Sequence, residues 1–184
     1  VSGVSNGTLS LNASTGEVTY DPDDDFNGSD SFTFTVTDDG TTDGSSDALV
    51  SSTATVSITV NAVNDVPTLT TINAQETSEE TDITVDLSGS DVDIATNGQT
   101  LTFTATSSDP SIVAVSTTST GSSTATLSLD VQDDANGVVT VTVEVSDGNG
   151  GTAEQDFTLT VTEVNDVPVA NASSFSTNED TEGS

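Results

Sequence analysis

The sequence predicts an all-β protein assembled from repeated sandwich modules. Three observations carry that expectation. Apolar residues alternate with Thr and Ser in short runs, Gly, Asn and Asp punctuate those runs, and the same punctuation recurs further along the chain. In order, Ser31–Thr37 reads S-F-T-F-T-V-T, Ala54–Val60 reads A-T-V-S-I-T-V, Val139–Val145 reads V-T-V-T-V-E-V and Phe157–Val161 reads F-T-L-T-V. Alternation with period 2 places one face of each run toward a core and the other toward water. No stretch carries apolar residues at i, i+3, i+4 and i+7, so no helix longer than one turn is expected.

Composition narrows the function. The chain has 184 residues, 31 of them Asp or Glu and none Lys, Arg or His, for a net charge of −31. Nucleic acid is excluded as a partner, because neutralising phosphates needs Lys or Arg. An anionic membrane would repel the chain. With no Cys and no His, disulfides, thiolate metal sites and Cys or His catalysis are excluded. No apolar run reaches the roughly 20 residues of a membrane span, and no basic signal-peptide n-region is visible. High charge with 31% hydrophobic residues is also the signature of disorder, but disordered acidic tails do not alternate over eight residues.

Internal repeats set the architecture. Val63-Asn64-Asp65-Val66-Pro67 recurs as Val164-Asn165-Asp166-Val167-Pro168, an offset of 101 residues. Upstream, Asp25-Phe26-Asn27-Gly28 corresponds to Asp134-Ala135-Asn136-Gly137 at an offset of 109, which also sets Phe32, Phe34 and Val36 on Val141, Val143 and Val145, and Asp38 on Asp147. The first unit therefore carries eight extra residues between Asp38 and Val63, with Thr41–Ser46 the natural place for them. Residues 1–62 are read as the C-terminal part of one module, 63–67 as a link, 68–163 as a complete module, 164–168 as a second link and 169–184 as the first strand of the next. Seven strands are expected in the complete module, near 68–73, 81–87, 100–106, 111–116, 123–129, 137–146 and 153–163, a size that suits an immunoglobulin-like sandwich. Pro in each link stiffens it and favours end-to-end stacking.

The acids cluster in expected loops. In a seven-stranded sandwich the incoming link and the second-to-third and sixth-to-seventh strand loops share one end. Asn64, Asp65, Asp91, Asp93 and Asp147 should converge there, with Asp23, Asp24 and Asp25 approaching from the module before. At the other end, Asp133 and Asp134 should approach Asn165 and Asp166. Carboxylates gathered without any cationic side chain repel unless a cation intervenes, and a hard divalent ion such as Ca²⁺ takes 6–8 oxygen ligands. The bland alternative is a set of solvated loop acids that keep the protein soluble.

Gly7–Asp38, with G-T-L-S-L-N, G-E-V-T-Y-D-P and F-N-G-S-D-S-F-T-F-T-V-T-D, resembles the cadherin-like tandem repeats of giant bacterial surface proteins and adhesins. Ser174–Thr181 is similar to the opening strand of such a repeat. The resemblance implies that the N-D-V-P segments correspond to inter-domain calcium links and adds Glu79 and Glu179 as ligands. Val66 and Val167 replace the second Asn or Asp usual in such links, which implies one or two ions per junction.

The expected function is a calcium-stiffened spacer or filament segment of an extracellular repeat protein, partnered by neighbouring repeats or copies of itself. Two alternatives stand beside it. One is an adhesin module binding glycan or ice through Thr faces such as Thr33, Thr35 and Thr37 or Thr102, Thr104 and Thr106. The other is a self-assembling subunit using strand addition. Ser and Thr lack any His or Lys to activate them, so catalysis is not expected. Asn6, Asn12, Asn27 and Asn171 occupy N-x-Ser/Thr sequons.

Overall fold

The structure is a computed structural model and describes residues 1–174 together with Ser176 and Glu179. Fourteen strands and one short helix make up the described residues. The longest strands lie where the alternation is cleanest. β13 (Gly137–Ser146) and β14 (Thr152–Thr162) pair antiparallel from Gly137 opposite Val161 to Ser146 opposite Thr152. On β13, Val139, Val141, Val143 and Val145 are all fully buried, while Thr140 and Glu144 between them are exposed.

Two four-stranded sheets stack face to face over residues 68–162. One has the order β10 (Thr102–Ser107), β13, β14, β8 (Gln75–Ser78), and the other β11 (Val113–Ser119), β12 (Thr124–Val131), β9 (Ile83–Ser90), β7 (Thr68–Leu69). Their inner faces form one core, with Leu127, Leu129 and Leu159 fully buried at its centre and Phe103 and Phe157 at its flanks. Each such side chain contributes about 1.5–3 kcal/mol by leaving water. Thr117 on β11 donates its hydroxyl to the Phe103 carbonyl at 2.7 Å, tying the open edges of the two sheets together.

The first expected strand, 68–73, is divided. Thr68–Leu69 pairs antiparallel with β9 in one sheet, and the chain then crosses to Gln75–Ser78, which pairs parallel with β14 in the other. At the crossing, the Gln155 side chain accepts from the Ile72 amide at 3.2 Å and donates to its carbonyl at 3.4 Å. A side-chain amide thus replaces the missing ladder partner. The expectation of no helix longer than a turn is also corrected: α1 (Asp93–Asn97) is five residues long. It is held locally, since Asn97 Nδ2 donates to Asp93 Oδ1 at 2.8 Å and Gly98 ends it at φ 69°. Left-handed backbone at a helix end favours glycine.

Residues 7–60 contribute β1 (Gly7–Asn12) paired with β2 (Glu17–Pro22), and β3 (Gly28–Phe34) paired with β6 (Ala54–Val60). A small hairpin, β4 (Thr41–Thr42) with β5 (Ser45–Ser46), fills the expected insertion. The eight extra residues divide in a way the sequence did not reveal. Asp38 N bonds Leu49 O, eleven positions on, where Asp147 N bonds Gly151 O, four positions on, so seven residues enter the hairpin. The eighth is a one-residue slip on the return strand: Phe34 faces Ala54, but Thr37 faces Val50. With only two strands per sheet, Val36, Leu49 and Val50 remain more than half exposed. Asp30 instead is 9% exposed. It accepts from Asn6 N at 2.9 Å and Tyr20 Oη at 3.1 Å, which anchors residues 5–6 to β3. Val169–Ser174 forms no strand, and most of the remaining C-terminal positions of the expected next strand lie outside the described residues.

Candidate metal centre

The repeat is visible in backbone geometry as well as in letters. Asp25 and Asp134 are both left-handed, at φ 59° and 55°, and the glycines three positions on, Gly28 and Gly137, stand at φ 124° and 144°. Each turn closes with a bond from the residue after the aspartate, Phe26 N to Asp23 O at 3.1 Å and Ala135 N to Gln132 O at 3.3 Å. Such turns push Asp25 and Asp134 outward at the end of their module. Both links also share one local bond, Asn64 Nδ2 to Asp65 O at 2.9 Å and Asn165 Nδ2 to Asp166 O at 3.3 Å.

At the first link the expected acids do gather, in two different states. Asp23, Asp24 and Asp25 line one cleft together with Val63, Asp65 and Asp93. Asp93 and Asp147 are each 4% exposed, and their oxygens already accept hydrogen bonds. Asp93 Oδ2 takes the Asp65 amide at 3.0 Å. Asp147 takes Asn64 Nδ2 at 2.7 Å, Asn149 N at 2.7 Å and Gly151 N at 2.9 Å. The Asn64 bond, with the loop amides, holds the Asp147 carboxyl below the usual carboxylate range despite its burial. Asp38 does the same work in the first unit, accepting from Leu49 N at 2.8 Å, and its carboxyl is likewise lowered.

The remaining first-link acids keep free oxygens. Asp91 Oδ1 accepts from Asp93 N at 2.8 Å, but its Oδ2 is buried with no hydrogen-bond partner, as is Gln99 Oε1. Burial, followed by the charges of Asp25, Asp93 and Asp91, pushes the Asp65 carboxyl up. An orphaned buried carboxylate oxygen is costly, and a cation relieves both that cost and the repulsion.

At the second link the convergence is tighter. One carboxylate oxygen each from Glu80, Asp134 and Asp166 lies within 4.8 Å of the others. Opposite ligands of an ion bound at 2.3–2.6 Å stand about 4.6–5.2 Å apart, so this spacing suits Ca²⁺. The charge of Asp166 does most to push the Glu80 carboxyl up, with burial and Asp133, Asp134 and Glu79 adding to the effect. Burial raises Asp166 in turn, together with Asp134 and Glu79. Glu80 escaped sequence reasoning: it sits in the turn after β8 with a left-handed backbone, φ 60°, and its cluster partners, Asp134 and Asp166, are distant in the chain. Glu79, its neighbour, is 4% exposed and accepts the Val164 amide through Oε1. Glu179 is exposed in a turn, and Asp133 is exposed beside the cluster.

No helix among the described residues is long and apolar enough to cross a membrane. No curated protein sequence matches the chain. Among solved structures, domains 1–6 of the surface layer protein SbsC are 23% identical over 89% of this chain and 19% of that chain, with a TM-score of 0.47. Mouse clustered PcdhgC3 EC1-3 is 19% identical over 87% of this chain and 54% of that one, with a TM-score of 0.48. An endo-fucoidan hydrolase from glycoside hydrolase family 107 is 18% identical over 89% of this chain, with a TM-score of 0.44, and the chain spans 23% of its length. The sequence profile described as Bacterial Ig domain matches residues 1–60 and 64–160. The chain, with its tandem sandwich strands and repeated acidic links, belongs to the bacterial Ig domain family.

Proposed function

We propose that this chain is a non-catalytic spacer segment of an extracellular repeat protein, stiffened where modules meet by divalent calcium. The observation that carries the reading is the meeting of Glu80, Asp134 and Asp166 at the second link, three carboxylates with no cationic side chain to offset them. Asp25, Asp65 and Asp91 make the looser counterpart at the first. Glu80 and Asp134 come from one module and Asp166 from the link beyond it, so an ion they share fixes the angle between the two. Calcium and neighbouring repeats as partners, like the surface location, belong to this proposal. Membership of a family of Ig domains supports a structural module.

The mechanism is a linkage. An ion that binds only the closed junction stabilises it by RT ln(1 + [L]/Kd), about 1.4 kcal/mol per site at tenfold excess over Kd. Extracellular modules commonly bind Ca²⁺ with Kd of about 10⁻⁴–10⁻³ M, so such sites fill outside a cell and stay empty in a cytosol. Heating the protein in chelator and in millimolar calcium tests the reading. The expected result is a higher melting temperature in calcium, with a smaller gain for Glu80→Gln. Equal melting temperatures in both buffers would remove it.

A further inference from the structure

The acids at the links divide into those with free oxygens and those whose oxygens hold backbone, and the second group carries an inference of its own. We infer that Asp93 and Asp147 at the first link, and Glu79 at the second, are positioning residues that fasten the links without metal, leaving the Val–Asn peptide as the hinge between modules. On the following side, Asp93 Oδ2 accepts the Asp65 amide at 3.0 Å, and Asp147 Oδ2 accepts Asn64 Nδ2 at 2.7 Å. Gln99 Nε2 adds a bond to Asn64 Oδ1 at 3.1 Å. Pro67 completes the clip: it is fully buried, and a Cβ on Gly151 would stand 2.9 Å from its Cδ and overlap Asp147 Oδ2. Val66, by contrast, is 62% exposed, so the link is seated by its Asn, Asp and Pro and not by apolar packing of its valine.

On the preceding side, the second link shows how far the module holds on. Glu79 N donates to Thr162 O at 3.0 Å, and Glu79 Oε1 accepts from Val164 N. Taken together at the 101-residue offset of the two links, the preceding module grips the chain through the valine and the following module grips it from the asparagine. Among the described residues, the backbone amides of Asn64 and Asn165 have no hydrogen-bond partner, and Val63 is 79% exposed. Next to this peptide, the charge of Asp25 acts on Asp65 at the first link, and at the second Asp134 and Asp166 bring carboxylate oxygens within 4.8 Å of each other. Their repulsion opens the hinge, and whatever neutralises them closes it. The hinge position is independent of the calcium reading; only the identity of what closes it rests on that reading.

Amide hydrogen exchange of the whole 184-residue chain, read residue by residue by NMR in chelator, tests the inference. The Asp65 and Val164 amides should exchange about tenfold or more slowly relative to their intrinsic rates, and the Asn64 and Asn165 amides near theirs. Asp93→Asn should speed exchange at Asp65 and leave Val164 unchanged, while Glu79→Gln should do the reverse. If a variant fails to fold, the wild-type pattern alone decides. Asp65 exchanging as fast as Asn64 in chelator overturns the inference. Calcium is then added as a separate arm. Slowed exchange at Asn64 and Asn165 supports closure by the ion, and no change there counts against calcium while leaving the hinge position standing.

Discussion

Gly151→Ala probes how the link is held, because the structure leaves its new methyl group nowhere to go. The added Cβ would overlap Asp147 Oδ2 and stand 2.9 Å from Pro67 Cδ. Neither neighbour is the free end of a flexible chain: Asp147 is fixed by Asn64, Asn149 and Gly151 itself, and Pro67 is rigid and fully buried. Overpacking of this kind costs about 1–3 kcal/mol. In a domain of this size each kcal/mol moves the melting temperature by about 4–8 °C, so the variant should melt roughly 5–20 °C lower. The chain has no Trp and one Tyr, in the first unit, so calorimetry or far-ultraviolet circular dichroism is the suitable assay. Gly148→Ala is the companion variant. It lies in the same hairpin at φ 77° with open space around it, so it carries backbone strain without touching the link. Both variants should lose stability, but only Gly151→Ala should release the Asp65 amide to exchange. A Gly151→Ala protein that melts like wild type and keeps that amide protected refutes the packing argument.

Other predictions follow from the same contacts. Leu127→Ala empties a fully buried position on β12 and should cost about 2–5 kcal/mol, measured by denaturant unfolding. Glu80→Gln should raise the melting temperature in chelator by removing one of three mutually repelling carboxylates; an unchanged value shows that the repulsion is already screened. In chelator, stability should pass through a maximum as pH falls. Asp65, Asp166 and Glu80 have raised carboxyls, so the folded state takes up protons first and gains stability as pH drops toward the carboxylate range. Asp147, Asp38 and Asp30 have lowered carboxyls, the last despite its burial, because Asn6, Ser31 and Ser5 amides and the Tyr20 hydroxyl bind it. Their stabilisation is present above the unfolded-state values and is lost as pH falls through the folded-state ones. Molar salt, with a Debye length of about 3 Å, should stabilise the chelated protein, and a melting temperature that falls with salt contradicts that.

Strand positions were legible because burial on one face writes a period of 2 into the letters, as Val139 to Val145 show. The division of the first strand was not, since Thr70–Ala74 contains neither Gly nor Pro to mark the crossing, and the compensating partner, Gln155, comes from β14. Helix α1 escaped for a related reason: five residues held by a side-chain bond from Asn97 to Asp93 need no amphipathic pattern. Topology alone led to the expectation that acids gather at the two links. Which of them have free oxygens could not be read that way, because that depends on whether a backbone amide such as that of Asp65 or Val164 has reached them first. Asp30 was invisible as a buried acid, since in the letters it sits beside Ser29 and Ser31 as one more polar strand residue.

Isothermal titration of calcium into the wild-type chain and into Glu80→Gln/Asp166→Asn tests the central claim most directly. The account predicts saturable binding with Kd of about 10⁻⁴–10⁻³ M in the wild type and the loss of the second-link site in the double variant. No saturable binding in the wild type, or the same binding in both proteins, contradicts it.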